Sequence, residues 1–320
     1  MDRSIGVVKA IRTLVPDSFV SVFALATLLG DAAVLLAVAF AYYWYSAGSL
    51  ASGTRDGFAL DRRRSAFVVA CALGAFSLTT GLKAVFALPR PPMAVFDPGT
   101  FATLPFADSL RSVVESATSA SEYGFPSGHA IGATVVYGAF ALVADVGTRR
   151  VRWATAGTAI ALVSLSRVVL GAHYLVDVLV GIAVGFGFLI ATHRLARETN
   201  VRRAFGLAVG IGALAAIVAA GDAPRDALTL LGVSVGALST WVLLGDRRPP
   251  TSRRDRLVTA AVGAVVAGVP GALTYLFDLA LPVEFLAGVV VGATIIATPR
   301  IATVGTRAVR VIRSDQNVSR

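Results

Sequence analysis

Long apolar stretches alternate with short arginine-rich connections along this chain, and no other feature restricts its fold as strongly. A helix that crosses a bilayer needs about 20 predominantly apolar residues, and about nine stretches approach that length. These stretches are residues 19–45, 66–87, 129–144, 153–170, 174–191, 204–220, 227–244, 257–277 and 281–298. Charged residues make up only 15% of the 320 residues, whereas a soluble domain carries about 25%. The sequence therefore predicts an all-α fold, a polytopic bundle of transmembrane helices.

The positive charges predict an orientation. Most of the 29 lysines and arginines lie in alternate connections, including 149–152, 194–203 and 247–256. Because short cytoplasmic loops are enriched in these residues, we expect that side and the C-terminus to be cytoplasmic in the cell membrane. The net charge of +10 is spread over these loops and does not form the single basic stripe of a nucleic-acid-binding protein. We therefore expect membrane lipids, and no nucleic acid, as partners.

The chain divides into four predicted parts. They are an interfacial N-terminal helix at 1–18, a membrane core at 19–200, additional transmembrane helices at 201–299 and a basic cytoplasmic tail at 300–320. Within the core, the motifs lie in 83–177 and a proline-rich polar loop covers 89–126. A loop of this length tends to be functional, so we interpret it as a lid or substrate entrance. The additional helices carry no motif and have no assigned role, and the sequence does not reveal the oligomeric state.

Two isolated residues lie within predicted spans. Asp31 interrupts the first apolar stretch, and a carboxylate there is either functional or the cap of a helix segment that starts after Gly30. We leave Asp31 outside the predicted site. Cys71 is the only cysteine, so an intrachain disulfide and a metal–thiolate cluster are both excluded.

The last of three motifs consists of Ser166 and Arg167 followed by His173 and Asp177. On a helix, residues four apart share a face, so Asp177 can accept a hydrogen bond from one ring nitrogen of His173 while the other points outward. That arrangement makes an oriented nucleophile or base. Gly171 lets the chain turn, which can bring Arg167 into the same pocket.

The middle motif is Pro126, Ser127, Gly128 and His129, where the polar loop meets a new helix. Ser127 can serve as N-cap, and the free amides of the first turn can bind phosphate oxygens. Gly128 allows a close approach of the ligand. The neighbouring His129 can donate a proton to a leaving oxygen.

The first motif is Lys83, followed seven positions later by Arg90 and Pro91. Considered alone, a lysine near the end of a span and an arginine before proline do not indicate a functional site. Together with Arg167 they supply three cations, which phosphoryl transfer requires when charge develops on the non-bridging oxygens.

The order and spacing of the motifs resemble the signature of the phosphatidic acid phosphatase type 2 superfamily, which also includes vanadium haloperoxidases. The matching residues are Lys83, Arg90, Pro91, Pro126, Ser127, Gly128, His129, Ser166, Arg167, His173 and Asp177. By this resemblance His173 is the nucleophile that forms a phosphohistidine, Asp177 orients it and His129 protonates the leaving group. Lys83, Arg90, Ser127, Gly128 and Arg167 would hold the phosphate, with no metal and no cofactor.

The resemblance implies an integral membrane lipid phosphatase that hydrolyses a phosphomonoester or diphosphate of a lipid or isoprenoid. Three alternatives remain at this level. A phosphotransferase would use the same site with another acceptor, and a vanadate-dependent haloperoxidase would bind vanadate there, although that activity belongs to soluble members. A non-catalytic lipid transporter or lipid-binding protein would leave the three motifs unexplained.

Overall fold

The computed structural model describes residues 5–46, 62–92, 123–197, 200–221, 224–245, 257–266, 268 and 279–318. Within these ranges the regular secondary structure is helical and contains no strand, so the predicted all-α fold is confirmed. The helices are α1 (Ile5–Leu14), α2 (Asp17–Leu28), α3 (Ala32–Ser46), α4 (Arg62–Phe86), α5 (Gly128–Val143), α6 (Arg149–Val169), α7 (Leu175–Ala196), α8 (Val201–Val218), α9 (Pro224–Leu244), α10 (Leu257–Val266) and α11 (Leu281–Val318).

The predicted number of nine spans is not reproduced in the described part of the chain. Five helices there are long and apolar enough to cross a membrane, namely α4, α7, α8, α9 and the Leu281–Arg300 part of α11. α5 has only 16 residues. α6 carries arginines at both ends, which lower its hydropathy. The predicted stretch 257–277 lies partly outside the described residues, and its described part is the short helix α10.

A break divides the first predicted span, 19–45. α2 and α3 meet at an angle of 50°, and the pair counts as a sixth span only if it is taken together. Asp31 stabilises the break, because its Oδ1 accepts hydrogen bonds from the amides of Ala33 at 2.9 Å and Val34 at 3.4 Å. Backbone groups exposed at a break inside a membrane need such partners. The structure therefore shows Asp31 as a helix cap.

α4 lies at the centre of the bundle and is the most buried of the five long apolar helices. One continuous core of buried side chains joins α4 to α3, α5 and α7 and also to α8, α9 and α11. The C-terminal helices thus share their core with the helices that carry the motifs. Glycines let α9 and α11 approach closely, since a side chain at Gly232 or Gly236 would meet the α11 backbone.

The helices nearest the two ends of the chain are α1 and α11. α1 packs its buried Val8 against Ala130, Val168 and Tyr174, near the ends of α5, α6 and α7. Its location at a membrane surface stays a prediction. The backbone of α11 continues as helix to Val318, through most of the predicted basic tail.

Candidate active site

The three motifs meet at one end of the bundle. Lys83 lies in the last turn of α4, and Arg90 follows in the segment that leaves this helix. α5 begins directly after Ser127, and a hydrogen bond of 3.0 Å joins the Ser127 amide to the carbonyl of Asp177 in the first turn of α7. The two described ends of the polar loop also meet, because the Gly124 amide donates to Leu88 O at 2.8 Å. Residues 93–122, which carry most of the predicted lid, lie outside the described residues.

A tight turn between α6 and α7 carries His173. Gly171 adopts a φ of 66°, a conformation that glycine takes without strain. The amides of Ala172 and His173 both donate to the carbonyl of Arg167, at 3.0 and 3.2 Å. The turn expected at Gly171 is therefore present, and it ties His173 to the residue that bears the third cation.

The side chain of His173 is buried and both of its ring nitrogens have partners. Nδ1 lies 2.7 Å from the carbonyl oxygen of Gly124, and Nε2 lies 3.2 Å from Nη1 of Arg90, which also donates to Ala172 O at 3.1 Å. A carbonyl only accepts and a guanidinium only donates. These partners assign the proton to Nδ1 and the lone pair to Nε2, so the nitrogen that bears the lone pair faces a cation.

Asp177 does not orient His173 through the direct hydrogen bond expected from the sequence. Its Oδ2 lies 3.7 Å from Nδ1 of His173, beyond hydrogen-bond distance, and accepts instead from the amide of Tyr174 at 2.9 Å. The reason is geometric, since His173 precedes α7 and does not share a helical face with Asp177. The carboxylate stabilises the start of α7, and the carbonyl of Gly124 binds the imidazole.

The surroundings of His173 favour its neutral form. Burial lowers the pKa of His173 well below its ordinary value of 6.5, and the positive charges of Arg167, Arg90 and Lys83 lower it further. A neutral imidazole keeps the lone pair on Nε2 at neutral pH. The electrostatics therefore agree with the hydrogen bonds in assigning a nucleophilic form.

The start of α5 presents polar groups that lack partners within the described residues. Ser127 is the N-cap residue by position, but its hydroxyl makes no capping bond, contrary to the role expected for it. Its Oγ and the Nε2 of His129 are both buried without a hydrogen-bond partner in the described structure. The first amides of a helix also have no partner inside it. Because unsatisfied buried polar groups are costly, this cluster suits an anionic ligand with several acceptor and donor oxygens.

Lys83 and Arg167 complete the positive charge. Lys83 lies beside the start of α5, since a Cβ on Gly128 would come within 3.9 Å of its Cε. Arg167 is almost fully buried, and its Nη1 donates to Oγ1 of Thr27 at 2.8 Å. Both charges act on His129 and His173 together with that of Arg90. The structure thus brings together all eight residues predicted for the site.

Ser166, the other polar residue of the last motif, bonds its own helix, because its Oγ donates to Val163 O at 2.6 Å. Among the described residues, no three His, Cys, Asp or Glu side chains cluster in a way that could hold a metal ion. The side chains that do cluster are two imidazoles and three cations. This set is suited to binding a phosphoryl group and transferring it.

Sequence reasoning missed two residues of the site, Gly124 and Thr27. Gly124 acts through its backbone carbonyl, which has no side-chain signature. Thr27 lies in an apolar stretch, where a threonine normally bonds its own helix, as Thr192 does with Phe188 O at 2.9 Å. The only available signal was the neighbouring Asp31, which marks the break of the helix.

Comparison with known proteins agrees with this geometry. The family model described as the PAP2 superfamily matches residues 64–200, a segment that includes most of α4, all of α5 to α7 and all eight site residues. No curated protein and no solved structure matches the chain. The match confirms the resemblance seen in the sequence, and members of this superfamily are generally phosphatases and related hydrolases. Residues 64–200 of this chain thus match the PAP2 superfamily.

Proposed function

We propose that this chain is an integral membrane lipid phosphatase that hydrolyses a phosphomonoester or diphosphate of a lipid or isoprenoid without a metal ion. The observation that carries the proposal is the state of His173. Its Nδ1 proton is held by Gly124 O, its Nε2 lone pair faces Arg90 at 3.2 Å, and two further cations lie nearby. A phosphoryl group held by Arg90 would lie next to the nucleophilic nitrogen.

The reaction would proceed in two displacements. In the first, Nη1 of Arg90 moves from Nε2 of His173 to a phosphoryl oxygen, which frees the lone pair to attack phosphorus. The N–P bond forms and the bond to the leaving oxygen breaks, while His129, as imidazolium, gives its Nε2 proton to that oxygen. In the second, His129 takes a proton from water, the water oxygen attacks phosphorus, and the N–P bond breaks. Lys83, Arg90 and Arg167 would stabilise the charge on the non-bridging oxygens in both steps, with Ser127 Oγ and the first amides of α5 as donors.

The helices support a lipid substrate. The site lies at one end of a bundle that contains several apolar helices, and substrates with an apolar tail diffuse within the bilayer. The site lies where α4 and α6 end and where α5 and α7 begin, whereas Arg62, Arg149 and Arg150 lie at the opposite end of these helices. By the positive-inside rule, we propose that the site faces the extracytoplasmic side and that the C-terminus is cytoplasmic.

The test is phosphate release by the detergent-purified protein from phosphatidic acid, phosphatidylglycerol phosphate and polyprenyl phosphates and diphosphates, with EDTA present. We expect release that EDTA does not inhibit and that His173→Ala reduces at least about a thousandfold, as removal of other covalent nucleophiles does. After acid-free quenching, ³²P from a labelled substrate should remain on the wild-type protein and be absent from His173→Ala. A matched control is His193→Ala, which changes a histidine at the far end of α7.

Other outcomes would identify the alternatives. Label that moves to an added alcohol faster than to water would make the protein a phosphotransferase. Lipid movement between leaflets that persists in His173→Ala, without phosphate release by the wild type, would make it a transporter. Release that is equal in wild type and His173→Ala would overturn the mechanism.

A further inference from the structure

The break between α2 and α3 lies against the site, although it precedes the segment that matches the PAP2 family model. Its residues are 27–31, which close α2 and open α3. The family match begins at residue 64. Nothing in that match accounts for contacts between the break and the phosphate-binding residues.

Thr27 makes the first of these contacts. Its Oγ1 accepts a hydrogen bond of 2.8 Å from Nη1 of Arg167, and both side chains are buried. A buried hydrogen bond to a charged group is stronger than a neutral one and restricts the orientation of the guanidinium. Asp31, at the other end of the break, also interacts favourably with the charge of Arg167. One end of the break therefore fixes the position of this cation and the other attracts its charge.

The middle of the break contacts the second catalytic element. A Cβ on Gly30 would meet Val163 Cγ1 and would lie 3.3 Å from Cδ2 of His129. The carbonyl of Leu29 accepts a hydrogen bond of 2.7 Å from the hydroxyl of Tyr137, on the same helix as His129. The break is thus attached to α5 as well as to α6.

We propose that the α2–α3 break is a positioning element of the phosphate site, in which Thr27 holds the guanidinium of Arg167 towards the phosphoryl group. This inference rests on the proposed function in so far as Arg167 binds a phosphoryl oxygen. Thr27 is a positioning residue, because it acts through Arg167. At the other end of the break, Asp31 caps α3 and its charge also acts on Arg167.

The experiment compares Thr27→Val, which keeps shape and removes the hydroxyl, with Thr27→Ser, which keeps the hydroxyl. Thr192→Val is the matched control, because Thr192 is equally buried but its hydroxyl bonds the carbonyl of Phe188 in its own helix. We expect Thr27→Val to lower kcat about tenfold to a hundredfold and to weaken inhibition by orthovanadate by a similar factor, as loss of a hydrogen bond to a charged group does. Thr27→Ser and Thr192→Val should both stay within about twofold of wild type.

A second arm separates positioning from general damage to the fold. In an Arg167→Lys background, Thr27→Val should cause little further loss, because the pair acts as a unit. Losses that multiply in the double variant would overturn the inference. If Thr27→Val does not fold, as judged by its melting transition, Thr27→Ala replaces it in both arms.

Direct binding of inorganic phosphate to each purified variant, measured by calorimetry, distinguishes this inference from the proposed function. Suppose that the wild type binds phosphate but hydrolyses no substrate, and that Thr27→Val binds phosphate more weakly. This result would contradict the proposed phosphatase activity and support the positioning role of Thr27. A wild type that hydrolyses lipid phosphates, with Thr27→Val unchanged in kcat, vanadate inhibition and phosphate binding, would overturn the positioning role alone.

Discussion

The Nδ1 atom of His173 lies 2.7 Å from the carbonyl oxygen of Gly124, 49 positions earlier in the chain. This contact joins the turn before α7 to the segment that precedes α5. It also determines which ring nitrogen of His173 bears the proton, since a carbonyl accepts and never donates. The arrangement leads to a prediction about pH.

Activity should fall as the pH decreases, with the limb due to His173 lying below pH 6.5. Protonation of Nε2 would remove the lone pair that attacks phosphorus, and the pKa of His173 lies well below 6.5 because of burial and the charges of Arg167, Arg90 and Lys83. Because a lowered pKa keeps His173 neutral at higher proton concentrations, activity persists to a lower pH than an ordinary histidine would allow. The measurement is kcat/KM from pH 4 to 8. A limb centred above 6.5 that moves in a His173 variant would contradict this assignment.

Asp177→Asn should lower activity less than His173→Ala does. The carboxylate lies 3.7 Å from Nδ1 and bonds the Tyr174 amide, so its direct contribution to the imidazole is electrostatic. We expect a loss of about tenfold to a hundredfold in kcat, because the negative charge beside the imidazole is lost. Asparagine retains an oxygen for the Tyr174 amide, whereas Asp177→Ala should also lower the stability by about 1 kcal/mol through loss of the cap. Equal losses in Asp177→Asn and His173→Ala would show that the carboxylate bonds the imidazole directly during catalysis.

Ser127→Ala should raise KM or the inhibition constant for phosphate about tenfold without lowering the melting temperature. The hydroxyl is buried and has no partner among the described residues, so its removal deletes a donor to the ligand and relieves an unsatisfied group. Ser77→Ala is the matched control, since Ser77 Oγ is also buried without a partner in the described structure but lies within α4. A drop in melting temperature confined to Ser127→Ala would assign the hydroxyl to the fold.

The family residues of the site were predictable because their chemistry resides in side chains at fixed spacing. His129, His173, Lys83, Arg90 and Arg167 are rare residue types among apolar stretches, so their pattern is visible without coordinates. The contacts that orient them were not predictable. Gly124 acts through a backbone carbonyl, and the distance of 3.7 Å between His173 and Asp177 depends on the residue at which α7 begins.

The fold, too, was predictable from the sequence only in part. Hydrophobic composition predicts helices, and α4, α7, α8 and α9 lie where apolar stretches were predicted. Hydropathy counts apolar residues and does not report the direction of the chain. It therefore missed the 50° bend at Asp31, and the spans predicted at the 16-residue helix α5 and the arginine-bearing helix α6 are not confirmed.

Gly128→Ala should reduce activity about a hundredfold, and Thr79→Ser should restore part of it. A Cβ at position 128 would lie 2.8 Å from Cγ2 of Thr79, so the start of α5 must move away from α4. A displacement of about 1 Å at a catalytic group can cost a factor of about 100. Serine lacks the obstructing methyl group and keeps the hydroxyl that bonds Ala75 O at 2.8 Å. Steady-state kinetics of both single variants and the double variant test this, and a double variant no better than Gly128→Ala would refute the steric explanation.

Arg62→Met should destabilise the protein without altering KM in the folded fraction. Arg62 is buried at the end of α4 opposite the site, where Nε lies 3.1 Å from Tyr43 Oη and the two terminal nitrogens donate to Gly245 O at 3.3 Å and Ile296 O at 3.4 Å. It also lies over the ring of Trp241 at 5.3 Å, so one cation joins α3, α4, α9 and α11. Removing it leaves buried carbonyls without this donor, and we expect a loss of about 2–4 kcal/mol in the free energy of unfolding.

Thermal denaturation in detergent measures this loss, and Arg63→Met, at an exposed arginine, is the matched control. If the two variants melt at the same temperature, Arg62 does not help to hold the C-terminal helices to the core. If Arg62→Met changes KM as well, this end of the bundle is coupled to the site.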